Sequence, residues 1–188
     1  MPQHLRHMAD DLAGRLVLPY SNWPTTDRGG SFGPDVHVDP GVTNVRNVKS
    51  PHWRRWLGVE SRCVVPFTSF SENEALPDGT RPPVWFALHE TRPLAFFAGV
   101  WARWTSVRKV KEGETTNDIF AFLTTEPNKV VGAIHAKAMP VILTTREEID
   151  IWMTAPLGEA LKLQRPLPDD ALMIVARGEK KDEGGLAA

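Results

Sequence analysis

The sequence predicts an α+β fold in a single domain, and three observations carry that reading. Between Cys63 and Thr125, runs rich in Val, Phe, Trp and Ile alternate with Pro, Asp and Gly breaks, the texture of strands and turns. Helix-start signals flank that block: Ser50 followed by Pro51 before it, and Thr145 with Glu148 three residues on after it. At 188 residues, 41% apolar and 24% charged, the chain is long enough to bury a sizeable core and too hydrophobic for disorder.

Residues 1–40 are weakly patterned. The apolar run Leu16-Val17-Leu18 suggests one short strand, and Asn22-Trp23-Pro24 with Arg28-Gly29-Gly30-Ser31 a long loop. After Ser50-Pro51, the residues Trp53, Trp56 and Leu57 fall on one helical face with Arg54 and Arg55 beside it, which predicts a short helix. Strands are expected over Cys63 to Phe70, Val84 to Leu88, Leu94 to Trp101 and Ile119 to Thr125. Pro77-Asp78-Gly79 makes the turn between the first two, and the charged stretch Lys109 to Asn117 reads as a solvent loop between the last two. Pro140 to Leu143 is a further strand. Thr145 and Glu148 open a helix through Ile149, Trp152 and Met153, and a second short helix starts at Pro156. Leu172 to Ala176 is the last strand, and 179–188, charged and then rich in Gly and Ala, is expected to be a disordered tail.

The charges nearly cancel, with 22 Lys and Arg against 23 Asp and Glu, so no global positive field draws in nucleic acid and any phosphate-binding surface must be local. Cys63 is the only cysteine, which excludes an internal disulfide and a cysteine-based zinc site. No apolar stretch has signal or membrane length. These features predict a cytoplasmic protein with a reduced thiol, no metal or other cofactor and no membrane contact. No Gly-rich phosphate loop, HExxH, CxxC or GxSxG occurs, so kinase, metalloprotease and serine-hydrolase readings lack their signatures.

Three segments carry groups able to do chemistry. In Asn44-Val45-Arg46-Asn47 an amide able to hold a sugar or carbonyl oxygen stands beside a guanidinium able to grip phosphate, although Asn is also common in ordinary turns. The run Arg62 to Glu72 is an apolar strand ending in a carboxylate; burial there raises a Glu pKa and suits it to general acid or base work, and a rim carboxylate paired with Arg is the competing reading. Cys63, among apolar neighbours, reads as a small inert hydrophobe. In Ala133 to Leu143 a His and a Lys occupy a small-residue loop entering a strand; His135 either shuttles protons or holds structure by hydrogen bonds. Trp53, Trp101 and Trp104, interleaved with Arg54, Arg55, Arg103, Arg108, Lys109 and Lys111, have the composition of a single-strand groove, although large aromatics are more often core.

Read together and in order, these segments resemble the SRAP family (SOS response-associated peptidase). The matching features are Asn44 and Arg46, the strand Arg62 to Glu72, Phe97-Ala98-Gly99-Val100-Trp101, the turn Thr124-Thr125-Glu126-Pro127-Asn128, and Ile134 to Leu143. The resemblance spans about residues 40 to 178. It implies a mixed, largely antiparallel sheet curled toward a barrel with short capping helices, in one domain over 1–188. It also implies a DNA-damage protein that recognises abasic sites in single-stranded or junction DNA and captures them covalently through a cysteine exposed as the mature N-terminus. In that reading Asn44, Glu72 and His135 are catalytic: Asn44 orients the sugar, Glu72 assists ring opening and proton transfer, and His135 acts in transfer and reversal. Arg46 holds a flanking phosphate; outside the resemblance, the aromatic and cationic residues Trp53, Arg54, Trp104 and Lys137 are the further candidates for DNA contact.

The sequence departs from the family at its start, Met1-Pro2-Gln3, where no cysteine follows Met1, and only Asn22-Trp23-Pro24 hints at the family's usual Trp-Gly-containing segment. The expectation is a divergent or N-terminally shortened member with crosslinking or lyase-type chemistry in question. Pro2, once Met1 is removed, would offer an amine able to form an iminium with an aldehyde. The alternative is a single-stranded DNA-binding module without covalent chemistry, and general peptidase activity is the least favoured reading. A monomer associated with the nucleoid of a bacterium completes the expectation.

Overall fold

The computed structural model describes residues 42, 44–107, 111 and 113–182. Its fold is α+β: a mixed, mostly antiparallel sheet, strongly curled into a half-barrel, with a few short helices. The strands are β1 (Asn44–Val45), β2 (Arg62–Phe67), β3 (Phe70–Asn73), β4 (Pro83–Ala87), β5 (Ala95–Val107), β6 (Glu114–Thr125), β7 (Met139–Pro140), β8 (Ile142–Leu143) and β9 (Met173–Arg177). The helices are α1 (Pro51–Arg54), α2 (Lys129–Gly132), α3 (Arg146–Thr154) and α4 (Leu157–Ala160). The main sheet runs β1-β6-β5-β2, with β7 on β6 and β8 on β5; a second sheet runs β3-β4-β9.

Two features curl the structure. The run expected as one strand from Cys63 to Phe70 breaks at Thr68-Ser69, so that β2 stays in the main sheet and β3 turns into the second. At the other end β5 and β6 splay apart, and Met139 to Leu143 fills the gap. Val141 N–H donates to the Leu123 carbonyl at 2.8 Å, and Ala98 N–H donates to the Val141 carbonyl at 3.0 Å. The strand expected from Pro140 to Leu143 is therefore two short strands, each paired with a different neighbour.

The pleat divides the apolar side chains between two faces. On the outer face Val64, Phe96, Ala98, Val100, Ile119, Ala121 and Leu123 pack under Ile149, Trp152 and Met153 of α3. Trp152, fully buried, donates its indole N–H to the carbonyls of Cys63 and Gly99, which fastens α3 to the middle of β2 and β5. The inner face, turned toward the second sheet, carries Cys63, Val65, Phe67, Phe97 and Phe120 against Phe70, Val84 and Phe86. Gly99 is required on this face, because a Cβ there would stand 2.9 Å from the Cys63 sulfur and 3.2 Å from the Ala121 carbonyl oxygen.

Several boundaries differ from those expected. Strands β5 and β6 extend to Val107 and back from Glu114, so most of the expected solvent loop from Lys109 to Asn117 is ladder or lies outside the described residues. Charge and Thr content suggested a loop, but Thr105 and Thr116 stand opposite each other with their hydroxyls 2.7 Å apart, a cross-strand pair that suits a ribbon. The tail is anchored as far as Asp182: Glu179 accepts from the Trp85 indole at 2.8 Å through its carbonyl, and Asp182 pairs with Arg92. The strand expected at Leu16 to Leu18 lies outside the described residues. Among those described, no helix is long and apolar enough to cross a membrane.

Candidate functional site

Strand β1 opens the site. It pairs in parallel with β6, Asn44 opposite Phe122 and Val45 opposite Leu123. Directly paired residues share a face, so Asn44 stands on the inner face with Phe122 while Val45 is buried on the outer one. The row continues across the sheet, Phe122 opposite Gly99 and Gly99 opposite Cys63. From Phe122 a series of rings crosses the inner face: Phe122 to Phe97 at 5.3 Å, Phe97 to Phe70 at 5.7 Å. Trp101 and Phe122 are only partly buried, which leaves apolar ring surface on that face open to a ligand.

Glu72 lies two residues beyond Phe70 on β3, opposite the buried Val84. Phe70 points inward, so the pleat sends Glu72 inward as well. Facing it is His135, whose Nδ1 is 3.7 Å from a Glu72 carboxylate oxygen, with side-chain exposures of 34% and 28%. Burial pushes the Glu72 carboxyl above its usual range, and the neighbouring His135 partly offsets that.

The turn holding His135 is built by Asn128. Buried to 5% exposure, it caps α2 by accepting from Val131 N–H at 3.0 Å, and its amide donates to the Pro168 carbonyl at 3.2 Å. His135 N–H then donates to the Val131 carbonyl at 2.8 Å, which closes the turn. Thr124, Thr125 and Asn128 of the Thr-Thr-Glu-x-Asn segment are thus buried framework, and Glu126 alone turns outward. It faces Arg46 at 3.5 Å, with side-chain exposures of 66% and 48%.

Glu72 and His135, far apart in sequence, meet as an ion-pair-distance couple. Asn44 stands on the inner face of the main sheet beside Phe122, at the other end of the ring series from Phe70 of β3. Arg46 is exposed just beyond it, and Lys137 is exposed on the His135 loop. Trp53, at 8% exposure, packs in the outer core in a T-shaped contact with His52. Trp104 falls on the outer side too, against Trp56, because the pleat places it with Ala102 and opposite Trp101. Arg54 is exposed at the end of α1, and Pro2 lies outside the described residues. Sequence reasoning singled out neither Phe122 as the residue beside Asn44 nor Glu126 as the partner of Arg46. Alternation along Phe120-Ala121-Phe122 was the available signal for the first, whereas the second depends on tertiary approach. Cys63 is fully buried and its thiol is pushed up to about 12, so it is no nucleophile here.

The family model described as SOS response associated peptidase (SRAP) matches residues 37–177. The abasic site processing protein YoqW of Bacillus subtilis (strain 168) is 34% identical over 107 residues, 56% of this chain and 43% of the relative. The abasic site processing protein YoaM of the same organism is 34% identical over 105 residues, 56% of this chain and 42% of that one. The chain thus spans less than half the length of these curated relatives. A crystal structure of a protein from Bacteroides thetaiotaomicron superposes with a TM-score of 0.57 and 24% identity, covering 70% of this chain and 56% of the other, a likeness of fold.

Proposed function

The chain belongs to the SOS response associated peptidase family, whose model matches most of its length, and on that premise we propose that it recognises abasic sites in single-stranded or junction DNA and performs acid–base chemistry on the exposed sugar. The observation that carries the reading is the Glu72–His135 couple on an inner face lined by partly open aromatic rings. An abasic sugar rests mainly as a closed hemiacetal. Opening it takes a proton from the anomeric hydroxyl and delivers one to the ring oxygen, and a carboxyl of raised pKa beside an imidazole suits both transfers. Asn44 orients the sugar through its amide, and the exposed Arg46 and Lys137 hold backbone phosphate. Trp101 and Phe122 replace Trp53 and Trp104 as the rings available for stacking. The relatives named as abasic site processing proteins support the same assignment.

The test is incubation with single-stranded oligonucleotides that differ only in one abasic site, with product or adduct followed on denaturing gels. The wild-type chain is expected to act on the lesion-bearing strand, with Glu72→Gln and His135→Ala each slowed by about 10²-fold or more, the scale on which a general acid or base contributes. Equal behaviour of both strands refutes the reading. A terminal amine such as that of Pro2 would leave a borohydride-trappable adduct. A second reading, lesion recognition without covalent capture, is favoured by the burial of the one thiol in the chain. It predicts salt-dependent binding with nothing surviving denaturation.

A further inference from the structure

We infer that Gln164 is the positioning residue for the DNA-contact segment: its side-chain amide ties the end of β1 to the end of β6 and so sets where Arg46 stands. The role rests on the function proposed above, whereas the tie itself does not. Strand β1 holds only two residues, paired with β6 at two positions, and the chain then turns away through Asn47 to Ser50. So short an edge ladder gives little resistance to fraying. The Gln164 amide nitrogen has two N–H groups and uses both on the main chain. One goes to the Arg46 carbonyl at 2.9 Å, the other to the Thr124 carbonyl at 3.0 Å.

The two ends of this tie are unequal. Thr124 is buried and paired with Pro140, so it belongs to the rigid frame. Arg46 is exposed and follows the last paired residue of β1. Gln164 is itself fixed by the turn Leu161–Leu163 and by the buried Leu163 and Leu167 on either side. The tie therefore transmits the frame to Arg46, whose guanidinium it leaves free to face Glu126 or a phosphate. Only a side chain with two donors at this reach does this: Glu offers none, Leu offers none, and Asn is one methylene too short for both carbonyls.

The experiment uses the full chain and four proteins: wild type, Gln164→Leu, Arg46→Ala and the double variant, with Gln164→Asn as the milder replacement should Leu impair folding. Amide hydrogen exchange is expected to quicken on the order of tenfold at Val45 and its neighbours in Gln164→Leu, the scale of one or two lost hydrogen bonds, with β5 and β6 unchanged. Binding of a fluorescent single-stranded oligonucleotide is expected to weaken several-fold, with a shallower salt dependence. Adding the Gln164 change to Arg46→Ala should then cost almost nothing more. Unchanged exchange at β1 overturns the tie. Equal losses in the wild-type and Arg46→Ala backgrounds overturn the positioning role. A wild-type chain that does not bind DNA overturns the proposed function and the role with it, while the exchange data still decide the tie.

Discussion

Replacing Arg46 with Ala separates DNA binding from folding. In the free protein Arg46 faces Glu126 at 3.5 Å, and both side chains are about half exposed or more. An exposed pair of this kind contributes roughly 0 to 1 kcal/mol, so the melting temperature is expected to fall by less than about 4 °C. On DNA the same side chain neutralises one phosphate, and each such contact on a single strand contributes about 0.7 to the slope of log affinity against log salt. Between about 50 and 200 mM salt, the ratio of wild-type to variant affinity is therefore expected to shrink roughly 2.6-fold. Fluorescence anisotropy of a labelled oligonucleotide bearing one abasic site, titrated across that range, measures it. Identical slopes for the two proteins would refute the phosphate contact, and a large drop in melting temperature would show that Arg46 is structural. The counterpart is Glu126→Gln: removing the anion that faces Arg46 is expected to tighten binding severalfold, and only while Arg46 is present.

The remaining expectations follow from the buried groups. Gly99→Ala puts a Cβ against the Cys63 sulfur and the Ala121 carbonyl and is expected to destabilise by about 1–3 kcal/mol. Cys63→Ala should recover part of that loss in denaturant unfolding, and strict additivity would refute the clash. Because burial raises the Glu72 carboxyl above the ordinary value of 4.5, the folded chain keeps a proton there that the unfolded chain has released. Stability should accordingly fall as pH rises from 4.5 through the raised value, and Glu72→Gln should remove that slope; an unaltered profile contradicts the assignment. Cys63, buried with its thiol pushed up to about 12, should resist alkylation at neutral pH until the chain is denatured, and rapid labelling of the native protein would contradict its place under the sheet.

What could be read from residues alone was whatever rests on local pattern. The apolar runs located β2, β4 and the inner halves of β5 and β6, because a strand buried on both faces reads as a continuous run. Thr145 accepts from Glu148 N–H at 3.1 Å as the capping signal implies, though the Glu148 carboxylate returns to Thr144 rather than to Thr145. What failed to show depends on tertiary placement. Asn44 and Val45 carry no strand pattern, and only the free edge of β6 makes them one. Nothing local divides Cys63 to Phe70 at Thr68 between two sheets. In the site, Glu72 and His135 were each legible as chemically able groups, one ending an apolar strand and one in a small-residue loop, but only the fold shows that they meet. The tryptophans show the limit of composition: Trp101 and Trp104 are three apart on one strand, and an odd spacing sends them to opposite faces.

The most direct measurement of the central claim is a competition. A fluorescent single-stranded oligonucleotide with one abasic site is mixed with the wild-type chain, and unlabelled competitors with and without the lesion are titrated in at fixed salt. If Glu72, His135 and Asn44 form one sugar-recognising site, the lesion-bearing strand displaces the probe at least tenfold more effectively than the intact strand, and Glu72→Gln with His135→Ala erases the difference without erasing binding. Equal competition by the two strands, or a preference that survives the double replacement, contradicts the account.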